Sequence, residues 1–141
     1  MAEQKVVTTD HDFTITRVFD APPAEVWRTW TDTDSFARWF NAEPGSVEND
    51  VRPGGAWKVT LRDPAGMQMA GEYREVEPQR KLVWTMDNPG EDIVMHATFS
   101  ETPEGKTEAV YGQNVPEPFP CDHAVAGATG ILDAFEAVLK S

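Results

Sequence analysis

From residue 47 onward the apolar residues recur at every second position, broken by turn sequences, until a single helical stripe ends the chain. Trp57, Val59 and Leu61 alternate with Lys58, Thr60 and Arg62, which puts the two sets on opposite faces of a strand. Val47–Val51 reads as the strand before it, and Met67–Glu77 as the strand after it, stopped by Pro78. Leu82, Trp84 and Met86 share a face on the next strand, then Ile93, Met95, Ala97 and Phe99, then Thr107, Ala109 and Tyr111. Arg52-Pro53-Gly54-Gly55, Asp63-Pro64-Ala65-Gly66, Asn88-Pro89-Gly90 and Thr102-Pro103-Glu104-Gly105 carry the turn chemistry between them. Short connections of this kind make an antiparallel meander with one buried face. From Cys121 to Leu139 the period changes: Val125, Ala128, Leu132, Phe135 and Leu139 form one apolar stripe of a long helix. That stripe has to lie on the buried face of the meander.

The part before residue 47 supplies one more strand and two short helices. Phe13–Phe19 is rich in β-branched residues and alternates, with Phe13, Ile15 and Arg17 on one side, an imperfect apolar face. Asp20-Ala21-Pro22-Pro23 ends it and opens a helix, since proline is preorganised for a first turn. Val26, Trp27 and Trp30 follow at helical spacing, and Asp32 or Asp34 can cap a second helix carrying Phe36, Trp39 and Phe40. The expected architecture is therefore α+β: a curved antiparallel sheet wrapped around a long C-terminal helix, with two short helices after the first strand. At 141 residues the chain suits one domain, expected over residues 13–141 after a flexible tail at 1–12. A sheet this curved is not filled by one helix unless the side chains between them are bulky, and small ones leave a pocket.

Composition removes several function classes. The net charge of −12 and the absence of a basic stripe exclude nucleic acid as an expected partner. The same charge keeps the protein off anionic membrane surfaces and favours a soluble monomer, a weak homodimer at most. No apolar run approaches the ~20 residues that span a bilayer, and the N-terminus lacks signal-peptide order, so neither membrane insertion nor export is expected and the cytoplasm is the expected location. The one cysteine, Cys121, makes neither an internal disulfide nor a thiolate zinc site alone. His11, His96 and His123 have no spacing that would bring them together, so no metal is expected, and nothing implies a cofactor.

Several segments resemble one superfamily when taken as a set. They are Arg17-Val18-Phe19-Asp20-Ala21-Pro22 with Val26-Trp27, Ala37-Arg38-Trp39-Phe40, and Val51-Arg52-Pro53-Gly54-Gly55-Ala56-Trp57. Gly71-Glu72-Tyr73, Val76-Glu77-Pro78, Leu82-Val83-Trp84 and Gly127-Ala128-Thr129-Gly130-Ile131-Leu132-Asp133 complete the set. The pattern is similar to the START-like, polyketide-cyclase (SRPBCC) superfamily of helix-grip proteins, in the branch named after the activator of the heat-shock chaperone ATPase. The resemblance implies the fold more strongly than any activity, because one superfold hosts many functions. Two departures stand out. Ala128 occupies the place of a tryptophan usual in the last helix of that branch, and Ala109 that of a bulky aliphatic residue in the last strand. Either neighbours such as Tyr111, Met95 and Phe135 fill the space, or a ligand does.

The leading expectation is a binding protein for a small apolar or aromatic molecule, held between sheet and last helix. The residues expected to line that site are Trp30, Phe36, Trp39, Trp57, Met69, Tyr73, Trp84, Met95, Ala109, Tyr111, Ala128 and Leu132. Aromatic and thioether side chains suit such a wall, Met86 belongs to the same set, and Tyr73, Tyr111 and Gln113 are its polar tips. A cyclase, dehydratase or lyase using the same cavity is the second reading, with a tyrosine as its acid. A chaperone-interacting module is the third, implied by the branch name alone. No catalytic residue is assigned. Cys121, Asp122 and His123 point in different directions on a helix and form no relay, and Glu72, Glu75 and Glu77 lack a matched second carboxylate.

Overall fold

The computed structural model describes residues 4–62, 64–88, 90–116 and 120–140. One antiparallel sheet holds eight strands: β1 (Gln4–Thr8), β2 (Asp12–Phe19), β3 (Glu48–Asn49), β4 (Ala56–Thr60), β5 (Gln68–Glu77), β6 (Lys81–Met86), β7 (Ile93–Glu101) and β8 (Thr107–Asn114). Their order across the sheet is β1-β2-β8-β7-β6-β5-β4-β3. Helices α1 (Pro23–Thr31) and α2 (Thr33–Trp39) follow β2, and α3 (Cys121–Leu139) ends the chain. The sheet curves around α3, giving the helix-grip α+β fold that the periodicity predicts.

The local causes are those legible in the residues. Pro23 opens α1 at a position where no N–H is needed, and the Asp32 carboxylate accepts the Ser35 N–H at 3.1 Å to start α2. Ala128, Leu132 and Phe135 are the buried residues of α3, and Val125 and Leu139 are half-buried beside them. They meet Phe13, Ile15 and Phe19 of β2 and the aromatic residues of α1 and α2 in one core. Phe135 shows how close that packing is: its ring lies 5.0 Å from both Phe19 and Trp30.

The Arg52–Gly55 turn has a specific geometry. Gly54 sits at φ +84°, and a Cβ on Gly55 would lie 2.0 Å from the Asp50 carbonyl oxygen. Only glycine fits both places without distorting the chain. The turn then extends the sheet, because Gly54 N–H donates to Tyr73 O and Tyr73 N–H to Gly55 O, each at 2.8 Å.

Three expectations are corrected. Residues 4–8 of the expected tail form β1, in register with β2 from Gln4 opposite Arg17 to Thr8 opposite Phe13. Its short β-branched run is exposed along its whole length, so backbone pairing rather than side-chain burial holds it. The expected strand Val47–Val51 shrinks to Glu48–Asn49, because Arg52 N–H already turns back to Asp50 O at 2.9 Å. Arg17 is no flaw in an apolar face but a buried cation, 5% exposed. Its Nη1 lies 2.8 Å from Asp133 Oδ1 and 3.6 Å from Glu136 Oε1, and its Nε and Nη2 donate to Gln4 Oε1. Gln4 Nε2 donates in turn to Thr129 Oγ1 at 3.3 Å, so one buried guanidinium joins β1, β2 and α3. Asp63 and Pro89 of the expected turns lie outside the described residues, as do residues 1–3.

A candidate ligand cavity under the last helix

Trp30, Phe36, Trp39 and Phe40 come down from α1 and α2 onto the sheet, and Trp57, Met69, Tyr73, Trp84, Met86, Met95, Tyr111 and Gln113 rise from β4 to β8 to meet them. Ala128, Ile131 and Leu132 of α3 close the third side. Between these walls is a cavity of about 90 Å³. Eleven of the twelve expected site residues line it, and so do Met86 and Gln113.

Ala109 does not. It is buried and on the inward face, but it pairs with Arg17 on one side and Phe99 on the other, toward the far end of β8. Alternation fixed its face correctly and left its distance from the opening of the sheet undetermined. Phe40 and Ile131 were missed. Phe40 is four residues after Phe36, one helical turn on, and the two rings stack at 5.2 Å, so helical spacing was the available signal. Ile131 is three residues after Ala128 and four before Phe135, so helical spacing was the signal there too, although the residue is 38% exposed.

Of the fillers expected beside Ala128, Tyr111 and Met95 stand along the cavity wall, and Phe135 packs away from it on Phe19, Trp30 and Trp39. Space therefore remains beside the small residue.

The aromatic wall is held in place by its own contacts. Trp30 is the hub, with ring centroids 5.3 Å from Trp39 and 6.0 Å from Trp84. Trp39 Nε1 donates to Thr29 O at 3.0 Å, and Trp57 Nε1 to Thr85 O at 2.8 Å. Buried indoles need such partners, and here the partners also fix ring orientation. The three methionines are the adaptable part of the wall.

Polar groups reach the cavity at two points. The Tyr73 hydroxyl donates to Asn49 Oδ1, and Asn49 Nδ2 donates to Thr31 O at 2.9 Å, tying β5 through β3 to the end of α1. The Tyr111 hydroxyl donates to Gln113 Oε1 at 2.6 Å. Burial pushes both phenols well above their usual pKa, and the Asn49 bond only partly offsets this at Tyr73. Both tyrosines are neutral at ordinary pH.

The other chemistry-bearing residues lie elsewhere. His11 borders a separate open groove with Asp12, Glu91 and Asn114, and His123 is exposed on α3. His96 is half-buried on β7, its pKa lowered by burial and by Lys81, with Asp12 opposing. Among the described residues no three His, Cys, Asp or Glu side chains gather as metal ligands. Cys121 Sγ lies 3.5 Å from Thr9 O, and Asp122 and His123 beside it face solvent. Glu72, Glu75 and Glu77 are exposed along β5. No helix among the described residues is long and apolar enough to cross a membrane.

Solved structures share this architecture. Protein CV1439 from Chromobacterium violaceum superposes with a TM-score of 0.76 at 24% identity, over 92% of this chain and 97% of that one. Protein Ms6760 from Mycobacterium smegmatis does so with a TM-score of 0.74 at 20% identity, over 99% and 97%. At such identities the likeness is one of fold. No curated protein matches the chain. The family described as Activator of Hsp90 ATPase homolog 1-like protein matches residues 20–140, which span the fold from α1 to α3 and every residue of the cavity wall. The chain belongs to that family.

Proposed function

We propose that the protein binds a small apolar or aromatic molecule in the cavity between the sheet and α3. The observation that carries the reading is the wall itself: eight aromatic residues and three methionines enclose a space of about 90 Å³ beside Ala128. Natural cores seldom leave voids much larger than a water. Among the described residues the wall contains no Asp, Glu, His, Lys, Arg or Cys, and its two tyrosines are held neutral. Such a surface suits retention of a ligand better than proton transfer or nucleophilic attack.

The size is modest. An apolar cavity of about 150 Å³ accommodates benzene, so a one-ring ligand here requires the methionine side chains to shift. Thermal melting with and without saturating toluene tests the reading, alongside native mass spectrometry of protein purified from its own host. A ligand that binds only the folded state raises the melting temperature. A co-purifying small molecule, or a rise with toluene, supports the proposal. Absence of both effects overturns it, and conversion of the bound molecule on incubation would replace it with an enzyme of the cyclase, dehydratase or lyase type.

A further inference from the structure

Tyr111 and Gln113 are two apart on β8, so they share its inward face, and both border the cavity. Their mutual bond consumes the one proton of the phenol and one acceptor site of the amide. What remains is complementary. The Tyr111 oxygen still has lone pairs to accept with. Gln113 Nε2 still has protons to donate: among the described residues its one bond is to Asn114 O at 3.4 Å, longer than the usual 2.7–3.2 Å. The Tyr73 hydroxyl differs, because its amide partner Asn49 already commits Nδ2 to Thr31 O at 2.9 Å. The cavity thus has one polar end that offers an acceptor and a donor side by side.

A ligand hydroxyl meets both needs with a single oxygen, donating to Tyr111 and accepting from Gln113. A ketone or ether only accepts, and leaves the Tyr111 oxygen unused. A carboxylate would enter a wall with no cation to pair with it, which is strongly unfavourable. Ring faces along the rest of the wall favour a flat apolar body.

We infer that the site takes a small neutral aromatic molecule bearing a hydroxyl, of the phenol class, gripped at that hydroxyl by Tyr111 and Gln113. The inference rests on the ligand-binding reading above and specifies its chemistry.

The test is calorimetric or thermal-shift titration with phenol, benzene, benzoate and tetramethylammonium, on the wild type and on Tyr111→Phe and Gln113→Leu. The expected wild-type result is phenol bound about tenfold more tightly than benzene, the scale of one net hydrogen bond. Benzoate and tetramethylammonium bind more weakly than either. In each variant the phenol-to-benzene ratio falls toward one, and because Tyr111→Phe removes a single oxygen the comparison survives if Gln113→Leu does not fold. Equal binding of phenol and benzene by the wild type overturns the inference and leaves the ligand-binding reading standing. A ratio unchanged in the folded variants, or preference for benzoate or tetramethylammonium, overturns it likewise. Binding of none of the four probes overturns the inference, and overturns the ligand-binding reading too if toluene gives no rise and nothing co-purifies.

Discussion

Trp57 and Gly71 face each other across β4 and β5, and the Trp57 indole passes over the bare Cα of Gly71 to reach Thr85 O of β6, 2.8 Å away. A Cβ on Gly71 would lie 1.7 Å from that carbonyl oxygen and 2.8 Å from Trp57 Nε1. The glycine therefore lets one cavity-wall ring anchor itself two strands away.

Gly71→Ala should accordingly destabilise the fold by about 2–4 kcal/mol, through overpacking and loss of the indole bond. Gly127→Ala, on α3 with nothing within 4 Å of the added atom, should stabilise it by about 0.5–1 kcal/mol. Urea denaturation of the two variants checks both signs, and a Gly71→Ala protein as stable as wild type would refute the close approach.

Ala128 borders about 90 Å³ of empty space. Ala128→Leu should fill part of it and raise stability by about 0.5–2 kcal/mol, with weaker binding of toluene, because side chain and ligand compete for one volume. Ala128→Trp brings more bulk than the space holds and should cost about 1–3 kcal/mol. Thermal melts with and without toluene separate these outcomes.

The chain's two tyrosines, Tyr73 and Tyr111, both have phenols raised by burial. The folded state therefore holds those protons more tightly than the unfolded chain. Their contribution to stability is complete below the unfolded value of about 10 and is lost as pH climbs above it. Tyrosinate absorbance should stay low through about pH 10 and rise only together with unfolding seen by circular dichroism. Free ionisation of either phenol in the folded protein would contradict its burial.

Leu132 is 3% exposed where α3 meets both core and cavity. Leu132→Asp leaves a carboxylate there without a partner and should cost more than about 4 kcal/mol, enough to unfold the protein. Soluble protein with an unchanged melt would count against the position of α3.

Cys121→Ser should leave any ligand affinity within a few-fold of wild type, since Cys121 is outside the cavity lining. If turnover is ever found, a loss of about a thousandfold in this variant with the fold intact would mark the thiol as a nucleophile.

Period and turn chemistry made most of this fold readable, because the meander and α3 each bury one face along a regular repeat. Elements without that signature escaped. β1 presents Val6 and Val7 to solvent, so its sequence has no buried side to betray it. Arg17 looked like a flaw because its partners Gln4 and Asp133 adjoin it only in space. The cavity wall was legible for a different reason: its large residues fall on inward positions of several elements, and any closed arrangement brings them together. What alternation could not give was position along a strand, and Ala109 was expected in the wall because the resemblance implies a bulkier residue there.

The pairing of residues 12–19 with residues 107–114 also has a consequence in time. The meander can zip by near-neighbour hairpins, but β2 has to wait for partners 88 to 102 residues further along the chain. Contacts of such sequence separation form slowly, because loop closure precedes any gain from pairing. During synthesis Phe13, Ile15 and Phe19 thus stay uncovered until β8 and α3 have left the ribosome. That interval, rather than any weakness of the finished fold, is when the apolar side of β2 is open to chaperones and to other nascent chains.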